Sequence, residues 1–131
     1  MSDSVWKVLF AFAAAFNFAV GLFILVLPEQ ALAAFGLALQ PTLLFVQFTG
    51  GMVAVFGLCY AAVASDLSRR EFVWLGIAGK LFAVVLLAAY RMADLIPQSV
   101  FLLGMGDLVF IALFLWFLFG RRKGLAEPKA A

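Results

Sequence analysis

The sequence predicts an all-α protein, an integral membrane four-helix transmembrane bundle with a short interfacial helix between spans 1 and 2. The first observation is composition: 67% of the 131 residues are hydrophobic and 12% are charged, against about 45–50% and about 25% in a soluble domain. The second is a set of four apolar runs, each long enough to cross a hydrocarbon core of ~30 Å. The third is a single lysine and a single aspartate inside consecutive runs. We predict one transmembrane domain over residues 1–123, with spans at about 5–27, 42–64, 72–90 and 98–119.

The first span has no charged residue after Lys7. At ~1.5 Å per residue it crosses the core with length to spare. A secretory signal peptide is the alternative interpretation, because Ala31-Leu32-Ala33 looks like a cleavage site. The apolar run is longer than a typical h-region of about 7–15 residues, and its N-terminal flank is barely basic. We therefore predict a membrane span.

The segment between the first two spans, residues 29–40, is bounded by Pro28 and Pro41. Its apolar residues recur at helical spacing, and Glu29 suits a helix N-terminus. We predict a short helix lying in the membrane interface. A loop packed over the mouth of the bundle is the alternative.

The second span carries small residues three and four positions apart, which is typical of helix faces that approach one another closely in lipid. A polar connection over residues 65–71 separates it from the third span. The third span ends before Arg91, and Pro97 precedes the fourth. A basic cluster over residues 121–123 ends the fourth span. We predict that residues 124–131 form a disordered cytoplasmic tail.

Lysine and arginine set the expected orientation. One side of the membrane receives most of the basic residues outside the spans, and the other side receives only Arg91. Positive residues stay cytoplasmic, so both termini are expected in the cytoplasm. The basic residues on that side are Lys7, Arg69, Arg70, Arg121, Arg122, Lys123 and Lys129.

Every span contributes a polar residue at a similar depth. Counting ~1.5 Å per residue from opposite faces, Lys80 lies roughly 12 Å deep and Asp107 roughly 13 Å deep. In a ~30 Å core these levels nearly coincide, so we predict that the two side chains contact each other. Asn17, Gln47 and Thr49 fall in the same zone. These five residues are the candidate intramembrane polar site.

Two interpretations of this layer remain open. A buried ion pair with amide hydrogen bonds can simply fix helix register, and loss of one partner would then strand a charge. Ionisable residues inside a membrane are also candidates for a proton or substrate site. Because each charge has a partner available, a structural role is favoured. The neutral sum of the pair argues against a selective ion pore.

The residues that are missing exclude several chemistries. There is no histidine, and Cys59 is the only cysteine. No histidine-activated serine or cysteine nucleophile can form, and neither can a disulfide or a Cys-x-x-Cys pair. We therefore expect no catalytic residue, no metal site and no cofactor. The net charge of +2 is too small to indicate nucleic acid.

Short motifs run in a recognisable order along nearly the whole chain. They are Asn17-x-x-x-Gly21, Leu27-Pro28, Gly50-Gly51 with Gly57-Leu58, Asp66 with Arg69-Arg70, Gly76-x-x-Gly79-Lys80, and Gly106-Asp107-Leu108 leading into Phe114. This layout resembles the DoxX-like family of small four-helix bacterial membrane proteins. The resemblance implies a four-helix bundle in the bacterial inner membrane, often with a partner protein and with no settled activity. The chain lacks the cysteines and histidines that a redox relative needs.

Three functions compete. The first is a non-enzymatic accessory or scaffold subunit, which packs against another membrane protein or against itself through small-residue helix faces. The alternative is a small proton-coupled or lipophilic-molecule carrier with its site at Lys80 and Asp107. The weakest is an enzyme acting on a lipid or quinone, because only Lys, Asp, Glu and Tyr are available as acids and bases. The lipid bilayer is the one partner common to all three.

Overall fold

A computed structural model describes the backbone of residues 1–124 and the side chains of residues 1–120. Within these residues the chain forms five helices: α1 (Asp3–Val26), α2 (Pro28–Ala34), α3 (Leu44–Ser65), α4 (Arg70–Met92) and α5 (Gln98–Gly124). The predicted cytoplasmic tail lies outside the described residues, apart from the backbone of Gly124.

Four of these helices, α1, α3, α4 and the Gln98–Gly120 part of α5, are long and apolar enough to cross a membrane. Large apolar side chains on their outer faces, such as Phe45, Phe82 and Val109, are 73%, 70% and 62% exposed. Exposure of this kind along four helices fits lipid as the surrounding solvent. The predicted four-helix membrane bundle is confirmed. The helix ends lie within two residues of the predicted spans, except that α5 continues to Gly124.

The connection after α1 begins as a helix and ends as a loop. Pro28 occupies the first turn of α2, and Glu29 lies in the same turn, where the missing N–H and the negative charge are both favourable. The helix stops at Ala34 because Gly36 adopts a left-handed conformation with φ 70°. The N–H groups of Gly36 and Leu37 then donate to the carbonyls of Ala33 and Leu32, which is a Schellman C-cap. The helix is thus shorter than the predicted 29–40 segment.

The closest helix approach joins α1 to α3. A Cβ atom placed on Gly50 would lie 2.6 Å from the backbone nitrogen of Leu25 and 2.8 Å from the carbonyl oxygen of Gly21. Gly57, two turns along α3, likewise meets the carbonyl oxygen of Ala14. Because backbone meets backbone, a Cβ at Gly50 would overlap α1 and one at Gly57 would fit only tightly, as in other small-residue crossings in lipid.

The other helix contacts combine a glycine on one helix with a large side chain on the other. The Tyr60 ring of α3 covers Gly76 of α4, and a Cβ there would lie 2.6 Å from the ring. Leu87 of α4 covers Gly104 of α5 in the same way. The bundle therefore consists of two antiparallel pairs, α1 with α3 and α4 with α5, joined through the contact of α3 with α4 and through aromatic rings between α1 and α5.

The buried core is concentrated at one end of the bundle. This end, called the basic end, holds Lys7 and the α3–α4 connection with Arg69 and Arg70. The most deeply buried large side chains, including Phe10, Tyr60 and Phe117, form one cluster in this half. The opposite end holds α2 and the α4–α5 connection.

Aromatic rings of this cluster connect α1 to α5. Trp6 packs edge-on against Phe117 at 5.3 Å between ring centroids, and Phe10 stacks on Phe114 at 5.0 Å. This aromatic ladder ends at the Phe16–Phe110 contact, at 6.0 Å. The seam between α1 and α5 is thus filled by rings from the basic end to the middle of the bundle.

The α3–α4 connection is a compact polar turn. The backbone N–H and the hydroxyl of Ser68 both donate to Asp66 Oδ1, at 3.0 Å and 2.7 Å. These two hydrogen bonds hold the pKa of the Asp66 carboxyl below its usual range. The turn lies beside Asp3 and Lys7, which puts the start of α1 at the same end of the bundle.

Candidate functional site

The predicted ion pair is present in the middle of the bundle. Lys80 Nζ donates to Asp107 Oδ1 at 2.5 Å. The lysine side chain is 8% exposed and the aspartate side chain 26% exposed. The contact between these two residues, predicted from their depth and opposite charge, is confirmed.

The helices position this pair through small residues one turn away. Gly76 precedes Lys80 by one turn of α4, and Gly104 precedes Asp107 by about one turn of α5. Each glycine is buried under a neighbouring side chain, so each turn faces the bundle interior. The charge one turn further along the helix therefore also faces inward.

Aromatic rings complete the surroundings of the lysine. Lys80 Nζ lies 4.9 Å from the ring centroid of Phe110 and 5.7 Å from that of Tyr60. A cation over an aromatic face is attracted by the ring quadrupole, more so where water is excluded. The ammonium is thus stabilised by one carboxylate and two ring faces.

Asn17 lies beside the pair. It is 6% exposed, and its Nδ2 donates to the Ala13 carbonyl of its own helix at 2.9 Å. It lines the same cavities as Lys80 and Asp107. The structure therefore brings together three of the five predicted site residues.

Gln47 and Thr49 lie elsewhere. Gln47 is exposed and donates from Nε2 to the Leu25 carbonyl at 3.2 Å, which ties α3 to α1 near the opposite end. Thr49 is exposed and donates to the Phe45 carbonyl of its own helix at 2.8 Å. It lines a separate cavity of about 200 Å³ beneath α2. Both side chains therefore lie one to two turns nearer the opposite end than Val53, which is the residue of α3 that lines both cavities at the pair.

Two cavities meet at the ion pair. The outer chamber, about 220 Å³, extends from the pair toward the opposite end. The inner chamber, about 110 Å³, extends toward the basic end. Four residues line both chambers, and they are Asn17, Val53, Lys80 and Asp107. The pair therefore stands at the boundary between an outer and an inner compartment.

The outer chamber is covered at the end of the bundle that holds α2 and is partly open at its side. Phe35, in the loop after α2, lines its top, and the Ser99 hydroxyl donates to the Phe35 carbonyl at 3.2 Å. Its lateral wall includes Phe16 of α1 and Leu103 of α5, which are 41% and 49% exposed. The side of the chamber between α1 and α5 is therefore formed by side chains that are also exposed on the outer surface of the bundle.

No family model, curated protein or solved structure matches this chain.

Sequence reasoning missed Tyr60. Its side chain is fully buried, and its hydroxyl has no hydrogen-bond partner among the described residues. It lines the inner chamber together with Lys80 and Asp107. The sequence offers no signal for this, because Tyr60 lies close to the end of α3, where a tyrosine of a membrane helix is expected at the interface. Its inward orientation is evident only from its contact with Gly76 of α4.

The arrangement suits hydrogen bonding more than bond-breaking chemistry. Among the described residues, no three His, Cys, Asp or Glu side chains lie close enough together to hold a metal ion. The groups at the site are an ammonium, a carboxylate, an amide and a phenol. Together they can donate and accept hydrogen bonds within a largely apolar space, which is typical of small-molecule sites.

Proposed function

We propose that this membrane protein is a small carrier that binds a lipophilic molecule with a polar head at the Lys80–Asp107 pair. The observation that supports this best is the pair of chambers that meet at the two charges. An ion pair that served only to fix helix register would need no space around it, because tight packing stabilises such a pair better.

The division of the bundle into two unlike halves also supports a carrier. The basic half is filled by the aromatic ladder and its core cluster, whereas the outer chamber lies in the opposite half. A site with its larger chamber on one side and a densely packed core on the other is what one state of an alternating carrier requires. The buried charges then stand at the boundary, as polar residues of transport sites do.

The accessory or scaffold function remains the second candidate. Its support is the exposed face of α3, where Gly51 has open space beside it and Phe48 is 64% exposed. Small residues next to bulky ones permit close approach of another helix. Lipid can cover such a face as well as another helix does, so the exposed face alone does not indicate a partner protein. The two chambers at the ion pair therefore favour the carrier over the accessory function.

The location that goes with this function is the bacterial inner membrane, with both termini in the cytoplasm and no enzymatic activity. Support for the orientation comes from the basic residues at one end of the bundle. The motif order along the chain supports membership of the DoxX-like family. On this orientation the outer chamber opens in the outer leaflet.

Transbilayer movement of fluorescent amphiphiles tests the carrier function. Proteoliposomes of phosphatidylcholine receive NBD-tailed single-chain probes with a glucoside, a phosphocholine or a phosphate head, and dithionite then quenches the probe in the outer leaflet. These polar heads cross a protein-free bilayer slowly. We expect the protein to accelerate at least one probe tenfold or more.

Filled-cavity and control variants make the result specific. Val20→Phe places a ring in the outer chamber and should abolish the acceleration. Val109→Phe makes the same change on a face that is 62% exposed and should leave it intact. Protein-free rates for all three probes, or equal rates for both variants, would overturn the carrier proposal.

A further inference from the structure

The seam between α1 and α5 has a gap where the aromatic ladder ends. Below the Phe16–Phe110 contact the seam is closed by stacked and edge-on rings. Nearer the α2 end, Val20 of α1 and Val100 and Leu103 of α5 line the outer chamber. The loop at Phe35, bonded to Ser99, covers the chamber at the α2 end, which favours entry from the side of the bundle.

The hydrogen-bonding groups that line the chambers are not all engaged. Asp107 uses Oδ1 for Lys80, and within the described part of the chain its Oδ2 has no hydrogen-bond partner. Asn17 uses Nδ2 for Ala13, which leaves its Oδ1 as a second acceptor. The Tyr60 hydroxyl and two of the three N–H bonds of Lys80 supply donors.

This set of groups selects a neutral head. Lys80 and Asp107 already neutralise each other at 2.5 Å. A charged head, anionic or cationic, would therefore add a third charge without a counterion of its own to a space of low dielectric. A hydroxyl both donates and accepts through one oxygen. It can bond Asp107 Oδ2 or Asn17 Oδ1 and also accept from Lys80, with the ion pair left closed.

The size of the chambers limits the head and leaves the tail outside. A dry cavity of about 150 Å³ holds one benzene ring, so the two chambers, of about 220 Å³ and 110 Å³, have room for a head of about one hexose ring. A long apolar chain does not fit there as well. Phe16 and Leu103, both half-exposed, mark where a single chain would pass into the lipid.

Resting on the proposed function, we infer that the ligand is a single-chain amphiphile with a neutral, hydroxyl-rich head. It enters sideways through the gap between α1 and α5 above the Phe16–Phe110 contact. The head lies against Lys80, Asp107 and Asn17, and the chain lies along Phe16 and Leu103.

Photolabelling with chain-matched probes tests this inference. The protein, in phosphatidylcholine nanodiscs, is irradiated with octyl probes that carry a diazirine on the chain and a glucoside, a phosphocholine or a phosphate head. Mass spectrometry then maps the labelled residues. We expect the glucoside probe to label Phe16, Val20, Val100 or Leu103 at least tenfold more than the other two, and unlabelled octyl glucoside to compete.

Three variants separate the parts of the inference. Val20→Phe fills the chamber and Leu103→Trp fills its opening, and each should abolish labelling of the seam. If one of these variants misfolds, the other still tests the inference. Asn17→Leu keeps the branched shape of the side chain and removes the free acceptor, and it should lower the preference for the glucoside while labelling persists. Val109→Phe is the lipid-facing control.

The outcomes distinguish this inference from the proposed function. If the phosphate or phosphocholine probe labels the seam preferentially, or all three probes label it equally, the inference of a neutral head is wrong and the carrier proposal is unaffected. Label at the chamber that Leu103→Trp does not reduce overturns the lateral entry. Label spread evenly over lipid-facing residues, unchanged by Val20→Phe, overturns both the inference and the carrier.

Discussion

Separating the two buried charges should destabilise the protein unequally. Lys80→Met leaves Asp107, whose side chain is 26% exposed and borders both chambers, whereas Asp107→Asn leaves Lys80, which is 8% exposed. Stranding a buried charge costs about 3–5 kcal/mol. We expect the full cost for Asp107→Asn and about 2–3 kcal/mol for Lys80→Met, because the remaining carboxylate is hydrated more easily.

The double variant should recover much of the loss. Lys80→Met with Asp107→Asn removes both charges, so its destabilisation should be smaller than the sum of the single values by about 3 kcal/mol. The same cycle on Arg91→Met and Asp94→Asn is the matched control. That ion pair is exposed, with Asp94 at 87%, and its coupling should stay below about 1 kcal/mol.

Unfolding by SDS in mixed micelles, followed by tryptophan fluorescence, measures these free energies. Trp6 and Trp116 pack edge to face at 5.9 Å between α1 and α5, so their emission reports separation of the bundle. If the single effects at Lys80 and Asp107 simply add, the two side chains do not interact. If Lys80→Met is the more damaging change, the argument from unequal burial is wrong.

Three further predictions follow from the helix contacts and the ends of the bundle. Gly50→Ala should cost about 1–3 kcal/mol, because its Cβ overlaps the backbone of α1, whereas Gly51→Ala next to it has open space and should be neutral or stabilising by up to about 1 kcal/mol; SDS unfolding compares the two. Reporter fusions at either terminus and at the α3–α4 connection should all report the cytoplasm, and a periplasmic signal from any of them would reverse the topology. In a cysteine scan of α2 on a Cys59→Ser background, an impermeant thiol reagent should label position Ala33 and spare the buried Ala31, whereas uniform labelling would show that the segment is not helical.

The parts of this fold that the sequence predicts well are those that depend on distance along a helix. The span ends follow from apolar length, and the contact of Lys80 with Asp107 follows from equal depth and opposite charge. Both depend on the rise per residue alone, which is nearly constant. The start of α2 was equally readable, because proline at the first helical position is a local signal.

What could not be predicted depends on rotation about the helix axis and on side-chain reach. Gln47 and Thr49 were expected at the depth of the pair, but the close contact of Gly50 with α1 fixes the position of α3 so that Val53, one to two turns further along, lines the cavities at the pair instead. Tyr60 reaches the inner chamber because Gly76, on another helix, leaves room for its ring. Contacts of this kind join residues that are distant in the sequence, and the pattern of one helix does not show which residues of another helix it packs against.

The pairing of consecutive spans has a consequence for biosynthesis. α1 packs on α3 and α4 packs on α5, so each pair is complete once its second helix has left the ribosome. Lys80 and Asp107 both belong to the later pair. The lysine of α4 therefore finds its partner as soon as the next span is synthesised. Insertion of α4 and α5 as one hairpin lets the two charges neutralise each other before either is exposed to lipid alone.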